Sequence, residues 1–118
     1  MTSTAKRYSS HGKDRTDFYT VAAWIENLFP FYNRTGTFHA DTPYSTNTGR
    51  LTGKLADQFK GGVLTGEIDY AVWSYSTPIA WHKTDGTWVE TGEHYSNATT
   101  RHQGVISTAL SVLYPVER

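Results

Sequence analysis

The sequence predicts an α+β fold: a small antiparallel sheet with a central strand and a hairpin, packed against two main helices. Three observations carry this reading. Apolar residues recur at helical spacing near both ends of the chain, over 17–29 and 99–114. Residues 67–76 alternate with apolar groups on both faces, and Asp85-Gly86 sits between two strand-like runs. At 118 residues the chain is long enough for one domain and one core, but not for a core plus a large internal cavity. Leu, Ile, Val and Phe are sparse, and four Trp and eight Tyr supply the missing apolar area.

The first fifteen residues form no element in this reading. Lys6, Arg7, Lys13 and Arg15 face Asp14 alone, so this stretch carries a net +3 and the remainder of the chain −3. The formal charge of zero is a cancellation. With Tyr8 as its only large apolar side chain, residues 1–15 are expected to be a flexible basic arm ahead of a domain spanning 16–118.

Phe18, Val21, Ala22, Ile25, Leu28 and Phe29 then form one helical stripe, with Thr16 or Asp17 to cap its start and Pro30 to stop it. Trp24 lies off the centre of the stripe, packed at the helix edge or exposed for binding. From Phe31 to Gly49, Asn, Thr, Gly and Pro break the pattern; one short strand is expected at 36–41, followed by a loop. Asn33-Arg34-Thr35 and Asn97-Ala98-Thr99 fit the glycosylation sequon, which matters only in a secreted protein. Leu51, Leu55 and Phe59 predict a short helix over 50–60, closed by Gly61-Gly62. That glycine pair lacks the spacing of a phosphate-binding loop.

A strand over 67–76 follows, and Pro78 marks a bulge or a change of pairing partner. A two-residue turn at Asp85-Gly86 pairs Thr84 with Thr87, Lys83 with Trp88 and His82 with Val89, which sets the Trp88 ring over the Lys83 ammonium. The last element, 99–114, fits both a helical stripe and a strand alternation. Its length, the Thr100-x-x-Gln103 spacing of a capping box and Pro115 at its end favour the helix.

Without Cys there are no disulfides, thiolate zinc sites or cysteine nucleophiles, and no cofactor is implied. Five histidines are present, none paired at the i, i+4 spacing of a helical metal site; a metal centre would need His82, His94 and His102 brought together by the fold, and none is assigned. His94 and His102 with Arg101 are the one cluster dense enough for general acid–base cleavage of RNA. The aromatic set Trp73, Tyr75, Trp81 and Trp88 lies on predicted strands near Lys83 and Arg101, and serves as core, as a platform for bases or as a protein-binding hot spot. No apolar run approaches a membrane span and the N-terminus has no signal-like segment, so a soluble intracellular protein is expected.

Residues 73–81, Trp-Ser-Tyr-Ser-Thr-Pro-Ile-Ala-Trp, then Gly86-Thr87-Trp88, Tyr95-Ser96 and Thr99-Thr100-Arg101-His102-Gln103, resemble a family of small proteins of bacteriophages and mobile elements of actinobacteria. The resemblance implies phage or mobile-element origin and expression in the cytoplasm of a bacterial host. It singles out Tyr95, Ser96, Thr99, Thr100, Arg101 and His102, whose other reading is a loop and N-cap locking the last helix in place.

The expected function is that of a non-catalytic accessory module. It engages a host or phage protein through Tyr75, Trp81, Lys83, Trp88, Tyr95, Ser96, Thr99, Thr100, Arg101 and His102, for example as a modulator of host machinery. Two alternatives stand beside it: single-stranded nucleic-acid binding by the basic arm and sheet aromatics, and a small RNA-cleaving enzyme using His94 and His102 with Arg101. No membrane partner is expected, and the sequence assigns no oligomeric state.

Overall fold

β-Strand Ile68–Ser74 is apolar on both sides, and a strand of that kind has to be covered on both sides. In the computed structural model, which describes residues 6–8, 15–33, 35–91 and 97–113, helices do this covering. The elements run β1 (Lys6–Tyr8), α1 (Arg15–Glu26), β2 (Phe31–Asn33), β3 (Phe38–Asp41), α2 (Gly53–Thr65), β4 (Ile68–Ser74), β5 (Thr77–Lys83), β6 (Trp88–Glu90) and α3 (Asn97–Leu113). Among the described residues the six strands form one sheet in chain order, antiparallel from β2 to β6 and parallel between β1 and β2. This is the α+β architecture that the sequence predicts, with β4 central.

Two apolar cores lie on opposite faces of the sheet. Val21, Ala22 and Ile25 of α1 and Val105, Ile106 and Ala109 of α3 pack over Phe31, Phe38, Ala40, Tyr70, Val72, Ile79 and Ala80. On the other face, Ala56 and Phe59 of α2, with Leu51, pack over Ile68, Ala71, Trp73 and Trp81. Burying each large side chain of this kind stabilises the fold by about 1.5–3 kcal/mol. Ile68 and Ala71 share a face despite odd spacing because the β4–β5 register shifts between Ile68 and Tyr70. A second shift pairs Trp73 with Pro78 and Val72 with Ala80, so Pro78 does sit at a bulge. Trp24 is half-buried and packs 5.9 Å from Phe31, the packed alternative of the two.

Several local expectations are corrected. Lys6–Tyr8 is an edge strand in register with Phe31–Asn33, and Arg15 already belongs to α1, so the stretch read as a flexible arm contains structure; the rest of 1–14 lies outside the described residues. An edge strand is held by backbone hydrogen bonds, which composition does not report. α1 closes at Glu26, with Leu28 in the left-handed region (φ 56°), Phe29 N–H donating to Trp24 C=O and Leu28 N–H to Ile25 C=O. β2 is a further strand, three residues long and too short to show a period. α2 runs through Gly61-Gly62 and is closed by Gly66 at φ 76°. Thr100 lies inside α3, not at its cap. α3 is a helix through 105–113, which settles the ambiguity of that segment.

The β5–β6 hairpin is out of the expected register by one residue. His82 pairs with Trp88 and Trp81 with Val89, because the turn has three residues, Thr84-Asp85-Gly86, with Gly86 at φ 91°. Gly86 N–H donates to Lys83 C=O and Lys83 N–H to Thr87 C=O, a type I turn followed by a glycine bulge. Trp88 therefore stands edge-on against His82 at 5.2 Å, and the expected contact with Lys83 is replaced.

The glycine pair inside α2 separates two effects. A Cβ on Gly62 would lie 2.5 Å from Ile68 Cδ1, whereas one on Gly61 meets nothing within 4 Å. Gly62→Ala is expected to destabilise by about 1–3 kcal/mol through overpacking, and Gly61→Ala to stabilise by about 0.5–1 kcal/mol through helix propensity. Urea unfolding of the two variants checks the opposite signs.

Candidate functional site

The sheet face under α2 is only partly covered. α2 packs over β4 and β5, while the β2–β3 side of that face stays open. Strand alternation decides which residues lie there: Phe31 and Asn33 are buried while Tyr32 is exposed, and Phe38 and Ala40 are buried while His39 and Asp41 are half-buried. Tyr32, His39, Asp41 and Trp73, with the 42–50 loop and the β4–β5 turn, line a groove of about 450 Å³. That volume is within the range of ligand pockets, ~300–1,000 Å³. Tyr32, Tyr44 and Tyr75 are 40, 93 and 52% exposed, and their rings are among the few large apolar groups on the described surface.

Both walls are pinned. Tyr75 is held at φ 57° in the two-residue turn between Ser74 and Thr77, and its N–H donates to Thr37 C=O at 2.6 Å. A left-handed first turn position favours glycine, so holding a tyrosine there costs about 1–2 kcal/mol. Thr37 is in turn fixed by the buried Asn33, whose Nδ2 donates to Thr37 Oγ1 at 2.9 Å and whose Oδ1 accepts from Phe38 N–H. The 42–50 loop closes against the same turn: Arg50 N–H donates to Thr77 Oγ1, and a Cβ on Gly49 would lie 2.5 Å from that oxygen.

Trp73 forms the floor. Its ring stacks on His39 at 5.0 Å with planes 9° apart and meets Phe59 edge-on at 6.4 Å, so it belongs to the groove and to the α2 core. Burial lowers the pKa of His39, against the opposing pull of its hydrogen bond to Gly36 and of Asp41. His39 Nδ1–H donates to Gly36 C=O at 3.1 Å, which assigns the Nδ1–H tautomer and leaves Nε2 as an acceptor.

The residues named from sequence scatter. Tyr75 is on the groove. Trp81 is fully buried against Phe59 and is a core residue, not a contact surface. Trp88 is half-buried on Tyr70 and His82, and His82 Nδ1 bonds Asp69 at 2.6 Å. Lys83 is half-buried at the β5–β6 turn and Arg101 is exposed on α3. His102 lies on the α1–α3 face, stacked on Phe38 at 4.2 Å, with Nδ1 2.8 Å from Oγ of the buried Ser74. His94, Tyr95 and Ser96 lie outside the described residues, as do the side chains of Thr99 and Thr100, so the acid–base pair is not assembled among the described residues. No group of three or more metal-ligating side chains occurs among the described residues, and no helix there is long and apolar enough to cross a membrane.

Sequence reasoning missed Tyr32, His39, Asp41 and Tyr44. The alternation Phe38-His39-Ala40-Asp41 was the available signal for two of them. Tyr44 had none beyond being an aromatic ring in a polar loop.

A family of unknown function, DUF8033, matches residues 8–109. The chain belongs to that family. No curated protein and no solved structure matches it. The matched span of this DUF8033 protein contains every described residue that lines the groove.

His102 of the DUF8033 chain has a pKa lowered to about 4, first by burial and then by Arg101. It is neutral at pH 7 and a poor proton donor there. The unfolded chain binds this proton below about pH 6.5 and the folded chain only near 4, so stability is full above 6.5 and is lost as pH falls toward 4. His39 adds a loss of the same sign. Unfolding free energy measured from pH 7 to 4 is expected to decline, with a shallower slope in His102→Gln, which retains a hydrogen-bonding group toward Ser74. A second expectation concerns the turn: Tyr75→Gly relieves the left-handed strain, and its unfolding free energy in urea is expected to match or exceed that of the parent, by up to about 1 kcal/mol.

Proposed function

We propose that this protein is a non-catalytic binding module that engages a protein partner through the groove bounded by Tyr32, Tyr44 and Tyr75. The observation that carries this reading is Tyr75, an exposed ring held in a backbone conformation that glycine adopts at no cost. A tyrosine at that position carries a backbone strain that a glycine would not. Tyrosine is also a residue type enriched at binding hot spots. The resemblance over residues 73–103 supports an accessory role in a phage or mobile element, acting in the cytoplasm of a bacterial host.

Single-stranded nucleic acid is the weaker reading, because the described groove-lining residues include no Lys or Arg to neutralise phosphates. The test is affinity capture from a nuclease-treated bacterial lysate on the parent and on a Tyr32→Ser, Tyr44→Ser, Tyr75→Gly variant, each verified as folded by circular dichroism. Proteins retained by the parent after nuclease and lost from the variant are the expected result. Capture that vanishes with nuclease, or is identical on the variant, overturns it.

A further inference from the structure

A strained residue persists only where its surroundings over-determine it, and the left-handed Tyr75 is held from the far face of the sheet as well as within its plane. In the plane, its N–H donates to Thr37 C=O at 2.6 Å, one step beyond the Phe38–Ser74 pair of the β3–β4 ladder. Against that pair, on the face opposite the groove, lies His102 of α3. Its ring stacks on Phe38 at 4.2 Å with planes 4° apart, and its Nδ1 lies 2.8 Å from Ser74 Oγ. The imidazole therefore touches the chain neighbours of both Thr37 and Tyr75. Ser74 is 1% exposed, and a hydroxyl so buried needs hydrogen-bond partners. An apolar ring would serve for the stack on Phe38; the nitrogen adds a hold on Ser74. Ser74 also pairs with Thr77, whose Oγ1 accepts from Arg50 N–H of the 42–50 loop, so both walls of the groove meet at this point of the sheet.

We infer that His102 is a positioning residue for the groove: from the opposite face of the sheet it clamps the Phe38–Ser74 pair and so sets the angle at which the turn after Ser74 presents Tyr75 to a partner. This rests on Tyr75 being a contact of the binding surface proposed above, and it adds how that contact is aimed. His102 acts through Ser74, the residue covalently joined to Tyr75. The coupling runs in both directions. A change in how α3 sits on the sheet reaches the groove, and a partner that steadies Tyr75 also steadies His102.

The test is NMR of the intact chain and of three variants: Ser74→Ala, which removes the hydroxyl; His102→Phe, which keeps a flat ring on Phe38 without the nitrogen; and His102→Asn, whose amide falls near the place of Nδ1. Ser107→Ala is the control, since it removes a different α3 hydrogen bond, from Ser107 Oγ to Glu90 Oε1 at 2.7 Å. In Ser74→Ala and His102→Phe the Tyr75 amide proton is expected to move upfield as its bond to Thr37 C=O lengthens, and to exchange with solvent about fivefold faster. The Lys83 amide, bonded to Thr87 C=O in the other hairpin, should keep its parental rate. His102→Asn should restore much of the Tyr75 signature. Unchanged Tyr75 signals in folded Ser74→Ala overturn the inference. Equal acceleration of Tyr75 and Lys83, or the same Tyr75 change in Ser107→Ala, overturns it as well, because either marks a general loss of stability. Ser74→Ala carries the test alone if His102→Phe does not fold. Proteins captured from lysate by the parent should be retained less by Ser74→Ala, although Ser74 is not among the described residues that line the groove, and equal retention overturns the inference. If nothing is captured, the partner reading fails, and the Tyr75 amide still decides whether His102 positions the turn.

Discussion

β4 buries apolar groups on both faces, and this two-sided burial is the constraint on which the rest of the molecule depends. Tyr70 and Val72 need the cover of α1 and α3; Ala71 and Trp73 need the cover of α2. A sheet of six strands is wider than one thirteen-residue helix, so α2 shields β4 and β5 while the β2–β3 side of its face remains open. The groove is the uncovered remainder of a layer. Trp73 stands at its border, one flank against Phe59 and the other beneath His39.

Stability and display are separable in this arrangement. Tyr70 is buried, and its hydroxyl donates to Phe29 C=O at 2.7 Å, tying β4 to the link between α1 and β2; burial raises its pKa. His102 does comparable work on the same face, stacked on Phe38 and bonded to Ser74, and its neutrality is a consequence of being packed. Tyr75 does the opposite. Its ring is half in solvent, and its backbone occupies a conformation that works against the side chain. A protein optimised only to fold would place glycine in that turn, which is why the strain reads as functional.

Much of the architecture was legible in the residues. The Val21–Ile25 stripe, the two-sided alternation of 68–74 and the bulge at Pro78 all followed from periodicity and from proline chemistry, because these report burial directly. The errors share a cause. β1 and β2 are three-residue strands held by backbone pairing, and side-chain pattern is silent about that. Gly61-Gly62 read as a stop because glycine is a poor helix former, yet Gly62 is where α2 touches Ile68, a contact between elements. The hairpin register turned on whether Gly86 closes a two-residue or a three-residue turn. Asp-Gly chemistry permits both, and the pairing of Trp81 with Val89 selects the longer one.

For the candidate site the division is sharper. By itself the sequence determined the class of the protein: an α+β chain rich in aromatic rings, without cysteine, with its charge balanced between a basic N-terminal stretch and an acidic remainder. It also marked Tyr75 as a residue of interest. Only the tertiary structure sorted the aromatic residues into core and surface, burying Trp81 and gathering Tyr32, Tyr44 and Tyr75 from three separate stretches of chain along one groove. The physical reason is that a side chain's chemistry is written locally, whereas its exposure depends on which element covers it. Here that was set by how far α2 reaches across the sheet.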